Sequence, residues 1–136
     1  MARVDRLTVL SRRRESYSDF GINLERSVDG GDVLKYIDEA AVRNAIRAIV
    51  LTGPFERVYR PGLGSKVKSL LFDMLDEDLL KQTVISAVKN NEPRVENIDV
   101  TVEDRSDQNA AVLKIFFSVI NIPQSFSLSI ILKRVR

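Results

Sequence analysis

Residues 111–132 read AVLKIFFSVINIPQSFSLSIIL. The apolar period here is two. Leu113, Ile115 and Phe117 share one face and Val112, Phe116 and Ser118 the other, which predicts a strand over 111–120. Farther on, Phe126, Leu128, Ile130 and Leu132 alternate with Ser125, Ser127 and Ser129, the pattern of a half-buried strand. Pro123-Gln124 is expected to turn the chain between the two. Just upstream, Val95, Ile98, Val100 and Val102 alternate in part, and 104–109 is a polar loop of hairpin type. Three consecutive strands on short loops form an antiparallel meander.

Back toward the N-terminus the period becomes helical. Asp76 is a good N-cap, Glu77 and Asp78 fill a first turn, and Leu79, Leu80, Val84, Ala87 and Val88 make a stripe that stops at Asn90-Asn91 and Pro93. Val42, Ala45, Ile46, Ile49 and Val50 form another stripe, entered through Asp38-Glu39 and ended by Thr52-Gly53-Pro54. Between them, 55–59 reads as a short strand or extended turn, and 65–72 as a short helix capped by Ser65. Helices followed by a run of strands predict an α+β fold, with the helices packed on the C-terminal three-strand meander. Residues 1–33 show weak periodicity and read as an irregular N-terminal arm, ordered by contact with something else. Within it, 17–21 reads as a turn with two aromatic anchors and 29–32 as a breaker. Residues 34–136 then make a single α+β domain.

The 136 residues contain no Cys, no His and no Trp. These absences exclude a disulfide framework, a thiolate nucleophile, the Ser-His-Asp triad and nearly every zinc site. No cofactor is implied. No apolar run approaches the roughly 18–20 residues of a membrane span. The net charge of +2 is unevenly placed. Residues 1–14 sum to +4 and residues 133–136 to +3, around an acidic body of −5. Basic ends can serve nucleic acid or an acidic protein surface. Here they lack interleaved aromatics and any helix-turn-helix pattern, so nucleic acid is not the expected partner.

Glu92-Pro93-Arg94 is the most informative triplet. Pro93 fixes its own φ and pushes Glu92 out of the helical region, so the segment is stiff and extended just past a helix end. Residues i and i+2 of extended chain point to one side, so Glu92 and Arg94 are expected to project together toward a partner's charges. The plain reading of the same triplet is a helix stop with two solvated charges. The order of motifs decides between them. Leu51-Thr52-Gly53-Pro54-Phe55-Glu56-Arg57 leads to Arg60-Pro61-Gly62-Leu63-Gly64-Ser65 and Leu70-Leu71-Phe72, and then to the triplet. This order resembles the small wedge proteins of contractile-tail baseplates, found in contractile-tailed phages, type VI secretion systems and related injection machines. Phe117-Ser118-Val119-Ile120 with Pro123, and Tyr17-Ser18-Asp19, are similar to the T-even branch of that family. Phe55 stands where the family often has Gly, and Gly62-Leu63 where it often has an acid and Phe.

The resemblance implies a structural, non-enzymatic subunit. Its Glu92, Pro93 and Arg94 would dock on the helical core bundle of the large baseplate wedge proteins, with Glu56, Arg57 and Arg60 as supporting motif residues. Its sheet would template the first ring of tail sheath protein, with Ser129, Ile131 and Lys133 as the candidate sheath-facing edge. It would assemble in the host cytoplasm and reside in the virion tail baseplate, with no membrane and no small-molecule substrate. The family is also linked with lysozyme-like activity. Glycoside hydrolysis needs two carboxylates, one held protonated. The motif candidates Glu56 and Glu92 each have an Arg one or two residues away, which opposes protonation.

Overall fold

The computed structural model describes residues 17–28, 30–71 and 76–133. The basic N-terminal arginines, Phe72, Arg134 and Arg136 lie outside them. Two short strands, β1 (Ser18–Phe20) and β2 (Lys35–Ile37), precede three helices, α1 (Glu39–Leu51), α2 (Val67–Leu70) and α3 (Glu77–Asn91). Three long strands follow: β3 (Val95–Arg105), β4 (Ala110–Val119) and β5 (Ile122–Lys133). They form an antiparallel sheet in the order β3-β4-β5, and the fold is α+β as expected.

The helical stripes and the sheet's inner face meet in one core. Val42, Ile46 and Val50 of α1 and Leu80, Val84 and Val88 of α3 are buried against Val100, Val102, Leu113, Ile115, Phe117, Ile130 and Leu132. Burying each such side chain contributes about 1.5–3 kcal/mol. Phe117 and Phe126 pack across β4 and β5 with ring centroids 5.9 Å apart and planes tilted by 42°. The opposite face is open. There Phe116, Ser127, Ser129 and Ile131 are exposed, and the Lys114 ammonium pairs diagonally with Glu103 of β3. That hydrogen bond holds the Glu103 carboxyl below its usual range.

Asp76 caps α3 as its position predicts, its Oδ1 accepting from the amides of Asp78 and Leu79 at 3.1 Å. Ser65 does something else. It is buried and donates to the Val50 carbonyl at 2.7 Å, satisfying an orphan acceptor at the end of α1 rather than capping α2. Its amide donates to the Thr52 carbonyl at 2.9 Å, so the 53–64 loop closes on the end of α1.

Two local expectations are corrected and one open choice is decided. Segment 17–21 is not a turn. Ser18–Phe20 pairs with Lys35–Ile37, and Tyr17 extends the ribbon, its carbonyl accepting from the Asp38 amide at 2.7 Å and its amide donating to Asp38 Oδ1 at 3.3 Å. A partner strand about 17 residues away is invisible to local periodicity. Of the two readings of 55–59, strand or turn, the structure takes the turn, with Phe55 at φ 62° and all five residues exposed. The β4–β5 turn falls at Ile120-Asn121, where Asn121 takes φ 69°. Pro123 lies one step inside β5, an edge strand that tolerates its missing N–H.

Gly64 closes the 53–64 loop at φ 133°, and a Cβ there would stand 2.7 Å from the Thr52 carbonyl oxygen and 2.9 Å from that of Gly53. Gly64→Ala is therefore expected to cost about 2 kcal/mol in urea unfolding, through strain and collision together. Gly62→Ala meets open space and should leave stability within about 0.5 kcal/mol of the parent.

Candidate functional site

The junction between α3 and β3 is where the Glu92-Pro93-Arg94 triplet sits. Glu92 ends α3, its amide donating to the Val88 carbonyl at 2.8 Å, and its ψ of 86° leaves the helical region as the following proline requires. The Val95 amide donates back to the Glu92 carbonyl at 3.3 Å, making a tight corner whose apex is the exposed Pro93.

Glu92 and Arg94 lie on one side of this corner, as extended geometry predicts, but they face each other. Arg94 Nε donates to Glu92 Oε1 at 2.6 Å and Nη2 donates to Oε2 at 2.6 Å, a fork on both carboxylate oxygens. The Arg94 amide adds a third donor at 3.3 Å. The Glu92 side chain is only 5% exposed and that of Arg94 26%. The Glu92 hydrogen bonds hold the Arg94 guanidinium above its ordinary range, against the opposing effect of burial. The expectation that both charges are free for a partner is thus corrected. What the corner presents outward is the Pro93 ring.

Two contacts carry the corner into the rest of the fold. The Arg94 guanidinium lies 5.3 Å from the Tyr17 ring centroid, against the start of the β1–β2 ribbon. The Arg94 carbonyl accepts from the Ile120 amide at 3.0 Å, in the β4–β5 turn.

Beside the corner opens a cavity of about 790 Å³, walled by the β1–β2 ribbon, α1, the 53–64 loop and residues 91–94. Arg57 and Arg60 line it together with Glu92, Pro93 and Arg94, so the structure unites two motifs separated by some 30 residues. Glu56 faces away from this group, its Oε2 accepting from the Gly53 amide at 2.6 Å and stapling the loop. Exposed Phe20, Ile22 and Leu24 supply an apolar rim. Asn44 is the residue that sequence reading missed. Its Nδ2 donates to the Phe20 carbonyl at 2.8 Å and its Oδ1 accepts from the Ile22 amide at 3.3 Å, pinning the ribbon to α1. A lone Asn on a helix carries no local signal of that role. Among the described residues no group of acids, His or Cys could hold a metal ion.

The other candidate surface lies well along the sheet. Ser129, Ile131 and Lys133 are exposed on the outer face of β5, opposite Lys114, Val112 and Ala110. β5 and β3 are the two sheet edges, with β4 between them.

Comparison with known proteins gives concordant results. The family described as "Baseplate wedge protein gp25" matches residues 37–123, more than half of the chain. The baseplate wedge protein gp25 of Enterobacteria phage T4 is 31% identical over 111 residues, covering 79% of this chain and 83% of that protein. A candidate tail lysozyme from Geobacter sulfurreducens superposes with a TM-score of 0.64 at 25% identity, over 70% of this chain and 89% of that one. A chain of a type VI secretion system baseplate complex shares the fold, with a TM-score of 0.56 at 13% identity over 68% of this chain and 92% of that one. The chain belongs to the baseplate wedge protein gp25 family.

Removing one member of the fork leaves a buried charge unpaired. Arg94→Met should lower unfolding free energy by about 3 kcal/mol, whereas Glu92→Met/Arg94→Met together should recover most of that loss. Urea denaturation of the two single variants and the double variant measures the coupling directly.

Proposed function

We propose that this chain, as a member of the gp25 family, is a structural subunit of a contractile-tail baseplate wedge. It docks on the helical core bundle of the larger wedge proteins through the 92–94 corner, and its sheet templates the first ring of sheath. The observation that carries the docking reading is the fork itself. Glu92 and Arg94 neutralise each other and hold Pro93 out on a rigid corner beside an apolar-rimmed cavity, so little order remains to be lost when a partner arrives. Assembly in the host cytoplasm and residence in the virion tail baseplate follow from this role.

The hydrolase alternative draws on the likeness to a candidate tail lysozyme. Its two motif carboxylates are both engaged within the chain, Glu56 by the Gly53 amide and Glu92 by Arg94 on both oxygens. Glu92 is buried and held on both oxygens, so it is not presented to a substrate, which favours the non-enzymatic reading. The nucleic-acid alternative rests on basic ends whose arginines lie outside the described residues.

For the sheath-facing edge, β5 is the better placed of the two. Residues 122–133 contain no acid and a single Lys, whereas β3 carries Glu96, Asp99, Glu103 and Asp104, and each edge strand has one register irregularity. Charges blunt an edge against added strands. β5 therefore receives an extended arm from the sheath.

Co-expression with the larger wedge proteins of the same particle tests the docking reading. The tagged native chain should co-purify with them, and Glu92→Ala/Arg94→Ala should reduce recovery about ten-fold or more, with circular dichroism confirming that the variant is folded. Equal recovery of a folded variant would overturn the corner as the docking point. Hydrogen exchange tests the sheath reading separately. Amides of 122–133 should slow about ten-fold when purified sheath protein is added while those of α3 stay unchanged, and unaltered exchange along β5 would sink strand addition.

A further inference from the structure

The charge at the docking corner is internally cancelled, so the selectivity of that surface must come from elsewhere. We propose that Arg57 and Arg60 are its specificity-determining residues, and that they read a pair of carboxylates on an acidic segment of the partner wedge protein. This inference rests on the docking reading and says which atoms make it selective.

The ionic groups lining the cavity are Asp19, Arg57, Arg60, Glu92 and Arg94. Glu92 and Arg94 are joined in the fork. Asp19 Oδ1 accepts from the neighbouring Phe20 amide and adds to the field that keeps Arg94 charged. Glu56, adjacent to Arg57 in the chain, is spent on the Gly53 amide. Among the described residues Arg57 and Arg60 form no ion pair, so the open cavity presents two guanidinium groups with no direct carboxylate partner. They sit on one turn, closed by the Arg60 amide donating to the Arg57 carbonyl at 3.2 Å. Each guanidinium presents a planar fork matched to a carboxylate.

The same loop shows what kind of molecule bears those carboxylates. Phe55, Val58 and Tyr59 are 81%, 87% and 97% exposed. Three large apolar side chains held in water on the 53–64 loop would be costly if the loop were merely a connection. The loop is pinned by Phe55 N to the Pro61 carbonyl at 3.2 Å, by Leu63 N to the Arg60 carbonyl at 3.0 Å and by Ser65 N to the Thr52 carbonyl at 2.9 Å. Aromatic and Arg side chains on a preordered mount are the usual anchors of a protein interface. A phosphate backbone would use the arginines and leave Phe55 and Val58 wet, so the acidic partner is a protein surface with apolar pockets beside its carboxylates.

Two experiments on the chain co-expressed with the larger wedge proteins test this. In the first, Arg57→Glu/Arg60→Glu should lower recovery of the wedge proteins about ten-fold or more with the melting temperature unchanged, while Arg57→Lys/Arg60→Lys retains most of it. In the second, the lysine variant is treated with a zero-length carbodiimide, which joins an amine to a carboxylate in direct contact. Peptide mapping should place a cross-link between position 57 or 60 and an Asp or Glu of a wedge protein. If native protein captures the wedge proteins and charge reversal captures them equally, this inference falls and the docking reading stands. If native protein captures nothing, the docking reading itself falls. Co-purification of nucleic acid that charge reversal removes would show that the arginines read phosphate, and would overturn the proposal.

Discussion

An anion at 5% exposure is expensive, and the Glu92 carboxylate is tolerated there only because Arg94 grips both of its oxygens. That requirement organises its surroundings. Pro93 sets the two side chains on one side of the chain, and the fork then fixes how α3 turns into β3. The outer face of the guanidinium becomes a platform for Tyr17, so the β1–β2 ribbon is seated by the same cation. Once seated, the ribbon is tied to α1 by Asn44 and forms one wall of the cavity. A charge pair chosen only for stability would be better replaced by apolar packing. Here the pair sets a geometry that packing alone would not specify.

The core and the sheet were the most legible parts of the sequence, because each is written in a periodicity that a local window contains. The stripes of α1 and α3 and the alternation of β4 and β5 translate directly into buried Val42, Ile46, Val84, Phe117 and Ile130. What was not legible depends on long-range partners. Ser18–Phe20 is a strand only because 35–37 lies beside it, and Ser65 serves α1 only because the loop brings it under Val50. Alternation left the choice open at 55–59, where apolar and charged residues share one exposed loop and no buried face exists to select a strand.

For the candidate site, spacing placed Glu92 and Arg94 on one side of the chain, and the motif order marked Arg57 and Arg60 as belonging with them. Whether two opposite charges on one side reach outward or toward each other is a question of burial, which a sequence of local motifs does not contain. The distinction matters. A mutually satisfied pair is a scaffold, and it shifts the burden of selectivity to the unpaired arginines of the neighbouring loop.

The Arg94 carbonyl holds the Ile120 amide at 3.0 Å, so the corner and the β4–β5 turn share one hydrogen bond. On one side of that bond stands Pro93, on the other the start of β5. The end of the helical layer and the start of an edge strand are thereby positioned together, and neither can shift without straining that bond.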